Sequence, residues 1–188
     1  AKTLRPFQVW KHVLGENEDQ LIFEEKDEKF YVSIDKSMNK QYIQILCHSS
    51  LTSEIHLLDA NKTEGPIQCF LTREEGHLYE VEVHRDGFYI LSNKDAKNNQ
   101  LLFSPTLPVS LEVCQVIQKH QTDVLLENVC VFSNFLVLEE RSNGLEKLKI
   151  IFFDHRPQRY IEIKEECYSL GLHFNDDYEG DSFRYAYA

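Results

Sequence analysis

Two carboxylates separated by one residue, Glu80 and Glu82, alternate with Tyr79, Val81 and Val83. On an extended strand this spacing sends both acids to one face and the apolar side chains to the other. If that strand is the innermost of a sheet lining a channel, the pair gives a negative wall able to attract positively charged peptides. The other place open to them is a seam between packed sheets. Glu80 and Glu82 are the candidate substrate-binding residues.

No other constellation completes a chemistry. A serine nucleophile of the α/β-hydrolase kind stands on a Gly-x-Ser-x-Gly elbow, and the sequence has none. Ser142, in Arg141-Ser142-Asn143-Gly144, reads as a hairpin residue, and Ser182, after Gly180-Asp181, reads as the opening of a strand. No catalytic residue is assigned. The eight histidines are scattered, without a His-Glu-x-x-His pair or a Cys/His finger. His173 with Asp176, Asp177, Glu179 and Asp181 has the composition of a hard-cation loop but not the calcium spacing, and it reads as an acidic turn. No metal and no cofactor is expected. The five cysteines, Cys47, Cys69, Cys114, Cys130 and Cys167, are odd in number and lie mostly in apolar runs, so they read as reduced, buried thiols of raised pKa. Asn61-Lys62-Thr63 matches a glycosylation triplet, a pattern that chance often supplies.

Composition narrows the partners. With 42% hydrophobic and 12% aromatic residues the chain is a folded domain, and its net charge of −11 argues against binding nucleic acid. No apolar run is long enough to span a bilayer, and the N-terminus lacks a signal-peptide core, so a cytoplasmic location with no membrane contact is expected.

The elements that must position Glu80 and Glu82 come from an internal repeat. Runs beginning at Gln41, Phe88, Phe135 and Ser182 are each 47 residues apart, and four such units account for the chain. That period matches a four-stranded propeller blade. The spacing predicts half of a blade over 1–28, whole blades over 29–75, 76–122 and 123–166, and half of a blade over 167–188. Strands fall at 7–14 and 20–25, then in three sets of four, then at 168–174 and 182–187. Asp86-Gly87 and Asn143-Gly144 predict tight primed hairpin turns, which need positive φ. The stretch 111–119 follows strand alternation rather than a helical stripe. The fold class is therefore all-β, an antiparallel β-propeller segment of about four blades. Its half-blades leave unpaired edges, which either close a four-bladed ring or stay open; the strain of closing favours an open arc.

Arg5-Pro6-Phe7-Gln8-Val9-Trp10-Lys11-His12-Val13-Leu14-Gly15, then Asp19 to Asp27 and Phe30 to Ile34, resemble a characteristic stretch of the prolyl oligopeptidase family, in particular oligopeptidase B and the prolyl endopeptidase-like proteins. Thr52 to Ala60, Phe135 to Arg141, Asn143 to Leu145 and Ser182 to Tyr187 continue the similarity. The resemblance implies a parent in which a seven-bladed propeller caps an α/β-hydrolase domain with a Ser-Asp-His triad and admits only short peptides. This chain would supply the middle and later blades, with the hydrolase domain of the parent and its short peptide substrates as partners. No triad residue carries over onto any position here. The repeat alone would equally suit a free-standing propeller used as a protein-interaction scaffold.

Overall fold

β-branched and aromatic residues at alternate positions form strands throughout the computed structural model, which describes residues 4–188. Ala1, Lys2 and Thr3, at the head of the expected half-blade 1–28, lie outside the described residues. β1 (Gln8–Lys11) and β2 (Gln20–Glu24) make a two-stranded sheet. Three four-stranded sheets follow. The first holds β3 (Tyr31–Lys36), β4 (Tyr42–His48), β5 (Ser53–Asp59) and β6 (Gln68–Cys69). The second holds β7 (Tyr79–His84), β8 (Gly87–Ser92), β9 (Gln100–Ser104) and β10 (Gln115–Gln118). The third holds β11 (Val124–Val131), β12 (Phe135–Ser142), β13 (Leu145–Phe152) and β14 (Arg159–Tyr160). β15 (Leu170–Leu172) and β16 (Tyr185–Tyr187) pair as a final two-stranded sheet.

Every ladder is antiparallel, and strands adjacent in a sheet are adjacent in the chain. This is a succession of meanders, and the chain is an all-β propeller segment.

Successive sheets pack face to face, which explains why the second strands are apolar at consecutive positions. Phe88 and Ile90 enter the seam toward β5, with Ile55 and Leu57, while Tyr89 and Leu91 enter the seam toward β11 and β12, with Leu126, Val129, Leu136 and Leu138. A strand covered on both faces needs apolar side chains on both. β12 repeats the device: Leu136 and Leu138 face back, and Phe135 and Val137 face forward with Phe132 and Leu170. β4 sends Ile45 and Cys47 toward Val9, Phe30 and Val32. Ile90, Leu101 and Leu138 are fully buried, and each stabilises the fold by about 1.5–3 kcal/mol.

Four local readings change. Asn143 (φ 53°) and Gly144 (φ 81°) form the expected primed turn, but the β7–β8 turn consists of Arg85 and Asp86, neither at positive φ. Gly87 instead opens β8, paired with His84, at φ 149°. Its hydrogen faces the backbone of β9: an added Cβ would lie 2.3 Å from Ser104 O and 2.7 Å from Pro105 Cα. Close approach, not turn formation, demands this glycine. Gly87→Ala should therefore cost about 2–4 kcal/mol, seen as a lower urea midpoint, whereas a loss below about 1 kcal/mol would show that β9 moves aside freely.

Residues 111–113 form a 3₁₀ turn, and the strand begins only at Gln115. All five cysteines are free but only Cys47 is buried: Cys114 and Cys130 are half-buried, and Cys69 on outer strand β6 and Cys167 in a loop are exposed. Finally, the strands of the two terminal sheets are shorter than expected, β1 ending at Lys11, β15 spanning only Leu170–Leu172 and β16 starting at Tyr185. The β1–β2 and β15–β16 sheets do not pair with each other among the described residues, so no ladder closes a ring.

Candidate functional site: the inner wall

β3, β7, β11 and β15 are each the first strand of their sheet, with one edge unpaired among the described residues. Side chains from all four line a single cavity of 550 Å³. Convergence of four first strands from four sheets marks them as the innermost strands, and the cavity as part of the inner wall. β3 contributes Asp35 and Lys36, β7 contributes Glu82, β11 contributes Asn128 and Cys130, and β15 contributes Leu172, followed by His173 and Asp176.

β7 alternates as its sequence requires: Tyr79, Val81 and Val83 are buried, Glu82 is half-buried and Glu80 is exposed. Gln44 crosses from β4 to donate to Val81 O at 3.0 Å, which holds β7 against the preceding sheet. Glu82 faces the shared cavity, and Glu80 faces an adjoining hollow of 450 Å³ with His48, Glu54 and Glu127. Both carboxylates touch water, yet protein surrounds them closely. Burial, with help from Glu80 and Asp35, pushes the Glu82 carboxyl up to about 8, and burial also raises Glu80. The Cys130 thiol, half-buried and near Glu82, rises to about 12 and is no nucleophile. An incoming cation would meet Asp35, Glu82 and Asp176 here beside the two lysines, Lys36 and Lys40, that line the same cavity.

The remaining sequence candidates do not converge. Ser142 sits in the β12 ladder opposite Leu145, and Ser182 lies in the loop before β16. A serine–histidine contact does occur, between Ser92 Oγ and His77 Nε2 at 2.8 Å, but both residues are buried. Lys94 N–H donates to the same hydroxyl, so the pair fastens a loop. In the acidic loop, Asn175 bonds His173 O and both backbone groups of Arg184, while the Tyr178 hydroxyl accepts from Arg85 N–H at 3.1 Å. These bonds account for the loop's shape without an ion.

A larger cavity, 760 Å³, lies between β12–β14 and β16 and is lined by Phe135, Ile150, Phe152, Ile161 and Phe183. The β15–β16 sheet facing it has two strands, as β1–β2 has, where the three sheets between them have four. Arg85, Asp86, Asp154, Arg156 and Asp181 line it as well, so the aromatic surface of an uncovered seam is flanked by charges of both signs.

The sequence pattern of the family described as prolyl oligopeptidase, N-terminal beta-propeller domain, matches residues 2–188. The chain belongs to this family. It is 34% identical over 177 residues to Protease 2 of Moraxella lacunata, covering 93% of this chain and 25% of that protein. It is 32% identical over 189 residues to dipeptidyl aminopeptidase BI of Pseudoxanthomonas mexicana, covering 99% of this chain and 26% of that one. Oligopeptidase B from Leishmania major superposes on 98% of this chain with a TM-score of 0.89 at 29% identity, across 28% of its own length. The chain thus spans about a quarter of the length of these relatives. Within this propeller family the inner wall built by Asp35, Glu82, Asn128 and Asp176 is the site that the fold itself assembles. Sequence reading found Glu80 and Glu82 by alternation alone. Asp35 and Asn128 escape it, and His173 and Asp176 stand out there only as part of an acidic turn, because no local pattern reports which strands of separate sheets come together.

Proposed function

We propose that this chain is a non-catalytic propeller segment that gates the access of short peptides to a serine-hydrolase domain carried outside it, within a cytoplasmic oligopeptidase. The supporting observation is an acid-lined inner wall inside a chain that belongs to the prolyl oligopeptidase propeller family. Glu82 and Glu80 are the peptide-attracting residues in this reading, and the free state of all five cysteines suits a reducing compartment. The segments 1–28, 29–75, 76–122, 123–166 and 167–188 act as successive half and whole blades.

Two measurements test the reading. The isolated chain, exposed to a fluorophosphonate, should label no serine, because a covalent mechanism needs a base-activated nucleophile; stoichiometric labelling of one serine would overturn it. Grafted in place of the matching segment of Moraxella lacunata Protease 2, the chain should give a chimaera that cleaves short peptides in preference to long unfolded polypeptides. A folded chimaera that cleaves both equally would refute gating.

A further inference from the structure

The seam between β1–β2 and the first four-stranded sheet, where Glu54 also borders the hollow beside Glu80, gathers donors of a different kind. A Glu54 carboxylate oxygen, a His56 ring nitrogen and the Cys69 sulfur all lie within 4.8 Å of one another. Strand geometry places them there: Glu54 and His56 are two apart on β5 and share a face, and Cys69 on β6 is the direct cross-strand partner of His56.

We propose that Glu54, His56 and Cys69 form a binding site for a zinc-class divalent ion, with the fourth position open to water. One thiolate, one neutral imidazole and one carboxylate balance two positive charges, and binding releases the Cys69 thiol proton to solvent. A sulfur, nitrogen and oxygen set selects zinc, cobalt or cadmium over magnesium or calcium. A tetrahedral zinc site has ligand–ligand edges of about 3.5 Å, so the donors must draw in by about 1 Å from a 4.8 Å separation. Cys69 can supply that movement, since it is exposed on a two-residue edge strand.

The outer contacts suit the role. Glu54 Oε2 accepts the Arg73 backbone N–H at 2.9 Å, which orients the carboxylate, and Oε1 is the oxygen facing His56 Nε2 at 3.0 Å. The Arg73 guanidinium also reaches Oε1, at 2.8 Å, and is the group that the ion must displace. It retains Glu25 as a partner, so its own charge stays compensated. The Phe23 ring, 4.8 Å from the His56 ring, fixes the imidazole.

The test uses cobalt and zinc with the intact chain. One equivalent of Co²⁺ should produce a thiolate-to-cobalt charge-transfer band, unchanged in Cys114→Ser and lost in Cys69→Ser. In folded His56→Gln, affinity should fall by more than about 100-fold, beyond what an outer partner costs. A readout without substitution guards against misfolding: zinc at ten times its Kd should slow iodoacetamide alkylation of Cys69 about tenfold and leave exposed Cys167 unaffected. A band that survives in Cys69→Ser, or Cys69 alkylation that zinc does not slow, overturns the proposal.

Discussion

Arg73→Met should lower the stability of the chain by about 3 kcal/mol at pH 7, the largest loss expected from a single side-chain truncation at a seam. The Arg73 guanidinium pairs with Glu25, which follows β2, and with Glu54 on β5, so one cation joins two sheets. The two carboxylate side chains are only 7% and 10% exposed. Arg73 also lies over the Phe30 ring at 4.0 Å. Burial pushes the Glu54 carboxyl up, but the bonds from Arg73 and His56 outweigh it and hold the group at about 2. Removing the cation leaves two carboxylates in a low-dielectric seam, where Glu54, freed of the bonds from Arg73, is pushed up by its burial.

The pH dependence distinguishes this from simple loss of packing. Glu54 is depressed in the folded state, so its contribution is complete above the unfolded value of 4.5 and is lost as pH falls through about 2. In Arg73→Met the buried Glu54 carboxylate protonates instead, so the variant recovers as the native chain weakens. Urea midpoints of the two should be furthest apart near neutrality and converge below pH 4.5. Arg73→Lys keeps the charge but not the forked geometry and should fall between them. A gap that is the same at pH 4 and pH 7 would show that Arg73 acts by its stem alone.

Glu25, Glu54 and Arg73 also mark the boundary of what the sequence discloses. Alternation along Tyr79 to Val83 shows that Glu80 and Glu82 share a face, because strand period is a local property. The 47-residue recurrence of the Phe88 and Phe135 strands likewise reveals the blade order, since each meander is built from chain neighbours. Long-range pairing leaves no such mark. Arg73 and Glu25 are 48 residues apart, and Asp35 and Asp176 come near Glu82 only because four sheets are arranged around a common wall. The same reason hides Gly87: a turn signal is visible in Asp86-Gly87, whereas the Ser104 backbone against which the glycine packs is not. At 111–113, β-branched alternation outlasts the strand itself, because no local signal told where a 3₁₀ turn would replace it.

Glu82→Gln should abolish most of the chain's loss of stability between pH 4.5 and pH 8. Glu82 titrates at about 8 when folded against an ordinary 4.5, so across that window the folded state holds a proton that the unfolded state has given up. Stability therefore falls as pH rises through the window and levels off above it. Partial access to water discounts the cost to about 2 kcal/mol. Glutamine mimics the protonated acid, so the variant should match the native chain near pH 5 and exceed it by about that amount at pH 8.5.

The groups facing Glu82 are Glu80 on its own strand, Asp35, Lys36 and Lys40 from β3 and its turn, Cys130 on β11, and His173 and Asp176 after β15. The lysines line the same cavity, yet burial and the carboxylates prevail. A peptide bringing an arginine or lysine into this space would reverse the balance, drawing Glu82 down toward ionisation. Binding at pH 7 should then release close to one proton per peptide, read by calorimetry as a heat that varies with the ionisation enthalpy of the buffer. In Glu82→Gln the proton release should vanish and affinity should fall, because a neutral amide offers the cation no charge. Equal affinity in the variant would mean that cationic peptides bind elsewhere. Proton release that persists without Glu82 would place the titrating group on Glu80 instead.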